Sequence, residues 1–235
     1  MSRALPIHVG TDADDAAQQA AELIAADLAT AIAQRGRASI AFSGGTTPWP
    51  MVRALATSKI AWDKVDVFQV DERVAPAGDP DRNATHLQSN LIGRSSIPKR
   101  NWHPIPVEEP DPAGAARNYE RTLREVAGEA LDVVHLGLGP DGHTASLVPG
   151  DPVLGETERL VAATGPYQGH RRVTLTYPAL DAARRIVWFE TGAAKGEILR
   201  RLVAGDPTIP AGRVLQDRAV VVCDEPAAAL LLDGR

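Results

Sequence analysis

The feature that most constrains the fold of this chain is an alternation. Short apolar runs of strand length are separated repeatedly by segments with helical periodicity. Residues 7–9, 38–42, 65–70, 131–136, 172–176, 186–189 and 219–223 read as strands, and 11–34, a segment after Pro48, 86–91, 112–127, 193–203 and 226–232 read as helices. Parallel strands cannot be joined by a tight turn; they need a crossover of about a dozen residues, usually a helix. The pattern therefore implies an α/β fold, Rossmann-like, with a mostly parallel sheet and helices on both faces. The first helix is well marked: Thr11 and Asp14 have capping-box spacing, with Asp in place of the usual Glu. Ala16, Ala20, Leu23, Ile24, Leu28 and Ala31 form its apolar stripe, and Arg35-Gly36 closes it.

Composition narrows the rest. At 235 residues and 44% hydrophobic content the chain can bury a substantial core, and it carries no internal repeat or low-complexity tract. The Pro-rich stretch 103–112 has ordinary loop length, so one domain over 1–235 is expected. Lys and Arg total 25 against 30 Asp and Glu, a net charge of −5, which argues against a nucleic-acid partner. Cys223, the single cysteine, sits in an apolar run; it reads as a buried strand thiol and fits a reducing cytoplasm. The N-terminal residues lack a signal-peptide core, and no segment approaches the roughly 20 apolar residues of a membrane span. A cytoplasmic protein without a membrane partner is the expectation.

In an open α/β sheet, ligands gather beyond the carboxyl ends of the strands. Four post-strand segments belong together on that ground. The first, Ser43, Gly44, Gly45, Thr46, Thr47 and Pro48, leads into a helix; its glycines let backbone N–H groups approach an anion near the helix's positive end, unless it is a plain strand-to-helix turn. It lacks the spacing of a nucleotide P-loop. The second, Asp71-Glu72-Arg73, offers Arg73 as a bidentate phosphate grip, or else is a solvated charge cluster. The third runs from Gly137 to His143. Its glycines formally match a dinucleotide fingerprint, but Asp141 would place a carboxylate where a pyrophosphate should lie, so that reading is rejected. His143, beside Asp141 and Gly142, is instead a candidate base, although a lone histidine is often structural. Lys195, in the fourth segment, opens a helix on the same edge. His8, His86, His103, His135 and His170 show no metal-ligand spacing, so no metal is expected.

SGGTTP at 43–48, VDERV at 70–74 and GLGPDGHTASLVP at 137–149 together resemble the 6-phosphogluconolactonase family, which shares a superfamily with glucosamine-6-phosphate deaminase. RVTLT at 172–176 and GAAK at 192–195 extend the likeness over nearly the whole chain. The resemblance implies a Rossmann-like sheet, hydrolysis of 6-phospho-D-glucono-1,5-lactone in the pentose phosphate pathway, no cofactor, and a small sugar-phosphate substrate. It implies His143 as base, Asp141 orienting it or the substrate, and Arg73, Lys195 and Arg172 holding the phosphate. Ser43, Gly44, Gly45, Thr46, Asp71 and Gly142 complete the expected site, with Gly44, Gly45 and Gly142 as oxyanion-donor candidates. One departure stands out: Arg82-Asn83 occurs where the family usually has Ser-Asn, and Asn83 is left outside the expected site.

The chemistry of the residues is compatible with that implication. Opening a lactone needs an activated water, a stabilised oxyanion and a proton for the departing ring oxygen, and one histidine can take and return that proton. A helix N-terminus would favour the neutral imidazole and Asp141 the charged one, and the residues alone leave that balance open. Two rivals remain. A sugar-phosphate isomerase or deaminase is disfavoured because the segment after His143 continues Thr-Ala-Ser-Leu-Val-Pro and not toward Phe-Asn-Glu-Pro. A sugar-phosphate sensor would normally carry a basic DNA-binding appendage, which the 235 residues do not supply. A monomer or weak homo-oligomer is expected.

Overall fold

The structure, a computed structural model, describes residues 5–108, 111–128 and 130–232. The chain runs β1 (Ile7–Gly10), α1 (Ala13–Arg35), β2 (Ala38–Phe42), α2 (Trp49–Thr57), β3 (Val65–Gln69), β4 (Asp71–Arg73), α3 (Asn83–Asn90), β5 (Trp102–His103) and α4 (Pro112–Ala127). It continues through β6 (Val133–Leu136), β7 (Val161–Ala163), β8 (Arg172–Leu175), α5 (Tyr177–Ala182), β9 (Ile186–Glu190), α6 (Gly196–Val203), β10 (Ala219–Asp224) and α7 (Glu225–Leu232). Seven strands form one wholly parallel sheet in the order β1-β10-β9-β6-β2-β3-β5.

That order contains a reversal. From β2 the chain moves outward to β3 and β5, then returns to the opposite side of β2 with β6 and moves outward again through β9 and β10. The connections leaving β2 and β6 therefore diverge, and a crevice opens beyond their carboxyl ends. Both faces of the sheet are covered, as strand alternation requires. Ile40, Phe42, Val133, Val220 and Val222 pack under α1 and α2, whereas Ala41, Val134, Val221 and Trp188 pack under α4 and α6. The Tyr119 hydroxyl of α4 donates to the Gln69 carbonyl (2.8 Å) and accepts from its N–H (2.7 Å), fixing α4 against the end of β3.

Four local expectations are corrected. The cap of α1 is Asp12, not Thr11: its carboxylate accepts from the N–H groups of Asp14 and Asp15 at 3.0 and 2.8 Å, while Asp15 reaches back to the Thr11 N–H. Aspartate is as good a cap as threonine, so the box is shifted by one residue. Residues 193–203 are a 3₁₀ turn, Ala193–Lys195, followed by α6. The short helix α5 was not anticipated. Finally, β8 does not join the parallel sheet: β4, β8 and β7 form a separate antiparallel sheet.

This small sheet explains the charged triplet. In a strand successive side chains point to opposite sides, so Asp71 and Arg73 face the crevice while Glu72 turns the other way and is fully buried. Glu72 accepts hydrogen bonds from the backbone N–H groups of Arg73, Asn83 and Ala84, each at 2.8 Å, and from Gln69 Nε2 at 2.9 Å. The Arg82 guanidinium, 3% exposed, lies 3.1 Å from it and also pairs with Glu108 at 2.6 Å. Arg82, the departure noted above, is thus the counter-charge of a buried carboxylate. Removing one partner of such a pair strands the other in low dielectric. Glu72→Ala is expected to cost about 3–5 kcal/mol of unfolding free energy in urea titration, and a loss below about 1 kcal/mol, the value of an exposed pair, would contradict this role.

Candidate active site

The crevice holds a cavity of about 380 Å³ bounded by the loops after β2, β4, β6 and β9. The glycine loop after β2 forms one wall. At Gly44 an added Cβ would stand 1.8 Å from Asn83 Oδ1, so only glycine lets the Asn83 amide close against the loop. Gly45 adopts a φ of 109°, a conformation side chains disfavour. The backbone N–H groups of Gly44, Gly45 and Thr46 make no hydrogen bond within the described residues, and these three residues line the cavity just ahead of α2. Together they form an anion-receptive edge.

Opposite stands His143. Its Nδ1 lies 2.6 Å from Asp141 Oδ1, so Nδ1 carries the proton toward the carboxylate and Nε2 is the nitrogen left for chemistry. Burial of Asp141 opposes its ionisation, but the His143 ring, the His143 N–H and the Tyr167 hydroxyl (3.2 Å) together hold its carboxyl below the usual carboxylate range. Tyr167 also packs edge-on to the His143 ring, with centroids 5.3 Å apart. The loop itself is closed by Gly139 N–H to the His143 carbonyl (2.8 Å) and Gly142 N–H to the Gly139 carbonyl (3.0 Å). A Cβ at Gly139 would overlap the His143 ring at 2.0 Å, so the histidine lies directly on this glycine.

Three cations converge on the cavity. Arg73 and Arg172 are direct cross-strand partners in the β4–β8 pair, an arrangement of like charges that costs stability unless something anionic compensates. Arg73 Nη1 is held by the Asp81 carbonyl (2.7 Å) and Asn83 Oδ1 (3.0 Å). Arg172 is 3% exposed, and its Nη2 makes long hydrogen bonds to the Tyr167 carbonyl (3.5 Å) and Gln168 Oε1 (3.4 Å). Its Nε has no partner, Asp71 is 4.0 Å away, and its guanidinium sits 5.0 Å above the Tyr167 ring centroid. Lys195 Nζ pairs with Glu190 Oε2 at 2.9 Å and also donates to the Leu138 carbonyl, leaving one of its three protons uncommitted.

Of the expected residues, Ser43, Gly44, Gly45, Thr46, Asp71, Arg73, His143, Arg172 and Lys195 line this single cavity. Asp141 stands behind His143. Gly142 is a correction: its N–H is spent within the loop, and its Cα faces Ile209, where a Cβ would approach to 2.5 Å, so it offers no oxyanion donor. Asp71 is 4% exposed and braced by Ser146 Oγ (2.5 Å) and Asn83 Nδ2 (3.1 Å). Asn83, Tyr167, Gln168, His135 and Glu190 were missed. Asn83 had a signal, its place ten residues after Arg73, whereas Tyr167 and Glu190 carry none that spacing reveals. Among the described residues no three His, Cys, Asp or Glu side chains are grouped to hold a metal ion.

Comparison with known proteins adds lineage to this geometry. The family model for glucosamine-6-phosphate isomerases/6-phosphogluconolactonase matches residues 11–223. The chain belongs to this family. Within it, a 6-phosphogluconolactonase from a Nostoc species is 41% identical over 189 residues, covering 78% of each chain. One from Caulobacter vibrioides is 38% identical over 217 residues, covering 88% of this chain and 91% of the relative. The crystal structure of 6-phosphogluconolactonase from Thermotoga maritima superposes with a TM-score of 0.84 at 28% identity, over 93% of this chain and 98% of that one.

In this member of the family, Glu190 offers a pH test. Burial pushes its carboxyl up to about 7, against the pull of Lys195 and the Leu138 N–H. Its stabilising contribution is therefore fully present below the ordinary value of 4.5 and is lost as pH rises through about 7. Urea unfolding across that window should show wild-type stability falling relative to Glu190→Gln as pH increases; parallel profiles would contradict it.

Proposed function

We propose that this chain is a 6-phosphogluconolactonase, hydrolysing 6-phospho-D-glucono-1,5-lactone to 6-phosphogluconate with His143 as the base. The observation that carries the mechanism is the 2.6 Å His143–Asp141 pair, set in a cavity that also gathers Arg73, Arg172 and Lys195. The three cations receive the phosphate, and the lactone carbonyl lies toward His143. Nε2 of His143 takes a proton from water as the water oxygen bonds to the carbonyl carbon. Negative charge moves to the carbonyl oxygen, for which the free N–H groups of the glycine loop are the available donors. Asp141 stabilises the imidazolium formed in this step. As the intermediate collapses, the bond from the carbonyl carbon to the ring oxygen breaks, and the imidazolium returns its proton to that oxygen. The resulting carboxylic acid ionises and releases one proton.

We place the enzyme in the cytoplasm, as a monomer or weak homo-oligomer, acting on the free sugar phosphate without nucleic acid. The net charge of −5 supports the absence of a nucleic-acid partner. No helix among the described residues is long and apolar enough to cross a membrane.

One kinetic comparison separates the roles. His143→Ala should lower kcat by about 10²–10⁴ with KM little changed. Arg73→Ala or Lys195→Ala should raise KM about tenfold or more for the phosphorylated lactone, because a charge-assisted contact to phosphate exceeds an exposed ion pair. With unphosphorylated gluconolactone, activity should be poor and the Arg73 and Lys195 substitutions nearly silent, since their partner is already missing. Equal penalties on both lactones would remove these residues from the phosphate grip, and wild-type turnover by His143→Ala would remove the base.

A further inference from the structure

One buried polar side chain at the cavity takes no part in the mechanism above. His135 lies near the end of β6, in the run Val133-Val134-His135-Leu136. Alternation places it on the same side as Val133, the side packed by α1 and α2, and its cross-strand partner on β2 is Phe42, whose ring centroid is 6.1 Å from the imidazole. An apolar side chain would suit that position. His135 is 1% exposed, borders the cavity, and neither Nδ1 nor Nε2 has a hydrogen-bond partner. Leaving a buried donor and acceptor both unmet costs stability, and polar atoms left in this state in a native structure require an explanation.

Beside it is a second unmet group. Ser43 follows β2, and its backbone N–H donates to the His135 carbonyl at 3.2 Å, so the two residues occupy neighbouring strand ends. The Ser43 hydroxyl is buried, borders the same cavity and likewise has no partner. We propose that His135 and Ser43 form a neutral subsite on the cavity floor that reads the hydroxyl groups of the bound lactone ring, making His135 a specificity-determining residue.

The ligand chemistry follows from the groups. Burial pulls the His135 pKa down to about 3, so the ring stays neutral, presenting one N–H donor and one bare acceptor nitrogen. A sugar hydroxyl is likewise both donor and acceptor. Phosphate is a poorer match, being chiefly an acceptor, and it has Arg73, Arg172 and Lys195 nearby. A site built to hydrogen-bond a hydroxyl discriminates strongly against ligands that lack it, because its own polar groups are then left buried and unpaired. The unmet state of these atoms is the unliganded half of that device.

The subsite rests on the reading that the lactone occupies this cavity, and the test keeps the two apart. In ¹⁵N-histidine NMR spectra titrated with the product 6-phosphogluconate, the nitrogens of both His143 and His135 should shift. His135→Leu should lower kcat/KM by about tenfold or more while the melting temperature holds or rises, since the substitution removes a buried unpaired polar group. His135→Gln, which retains a neutral donor and acceptor, should recover part of that loss. A shift at His143 alone, with wild-type kcat/KM in His135→Leu, would overturn the subsite and leave the lactone reading intact. Loss of activity in His135→Leu with a lowered melting temperature and an unmoved His135 signal would mark simple packing and also overturn it. No shift at either histidine would remove both readings.

Discussion

Everything at the candidate site depends on the reversal of strand order between β2 and β6. Parallel pairing aligns their carboxyl ends, and divergent crossovers leave the space beyond those ends unfilled by either connection. The glycine loop after β2 and the His143 loop after β6 become the two walls of one crevice although about a hundred residues separate them in the chain. The small antiparallel sheet then closes the crevice from the side with Arg73 and Arg172. A slip of one residue in β4 against β8 would turn Arg73 away and bring Glu72 inward.

Such a concentration of charge must be held in place, and buried carboxylates do most of the holding. Glu72 gathers the backbone at the start of α3, Asp71 ties that region to Ser146 just past the His143 loop, and Glu190 ties Lys195 to the end of β9. These groups differ from Asp141 in kind. They orient donors and cations, whereas Asp141 fixes the His143 ring. Arg172 is the converse case: its Nε has no partner, and its carboxylate neighbour Asp71 stands 4.0 Å away.

Much of this was legible in the sequence. Short, nearly continuous apolar runs set against helical periodicity, and the need for crossovers, pointed to a parallel α/β sheet, and the glycine-bearing segments after strands pointed to its carboxyl edge. What escaped was decided by tertiary pairing. A three-residue strand such as β4 is too short for periodicity to reveal, so the opposite directions of Glu72 and Arg73 emerge only with β8 as partner. Gly142 reads as a candidate N–H donor to an oxyanion because spacing does not show which N–H a loop spends on itself. His135 was set aside for lacking metal-ligand spacing, which is a test of metals and says nothing of an unpartnered ring at a cavity floor. Asn83 carried a clue in its distance from Arg73, but its amide's closure over Gly44 is visible only in space.

The central claim is that this crevice opens a phosphorylated lactone by hydrolysis. The most direct test follows acid release when purified wild-type protein meets freshly prepared 6-phosphogluconolactone, measured against spontaneous hydrolysis, with glucosamine 6-phosphate supplied in parallel. The account predicts proton release far above the spontaneous rate from the lactone, and neither ammonia nor an isomerised sugar from the amino sugar. Lactone opening at the background rate, or turnover of the amino sugar in its place, would contradict it.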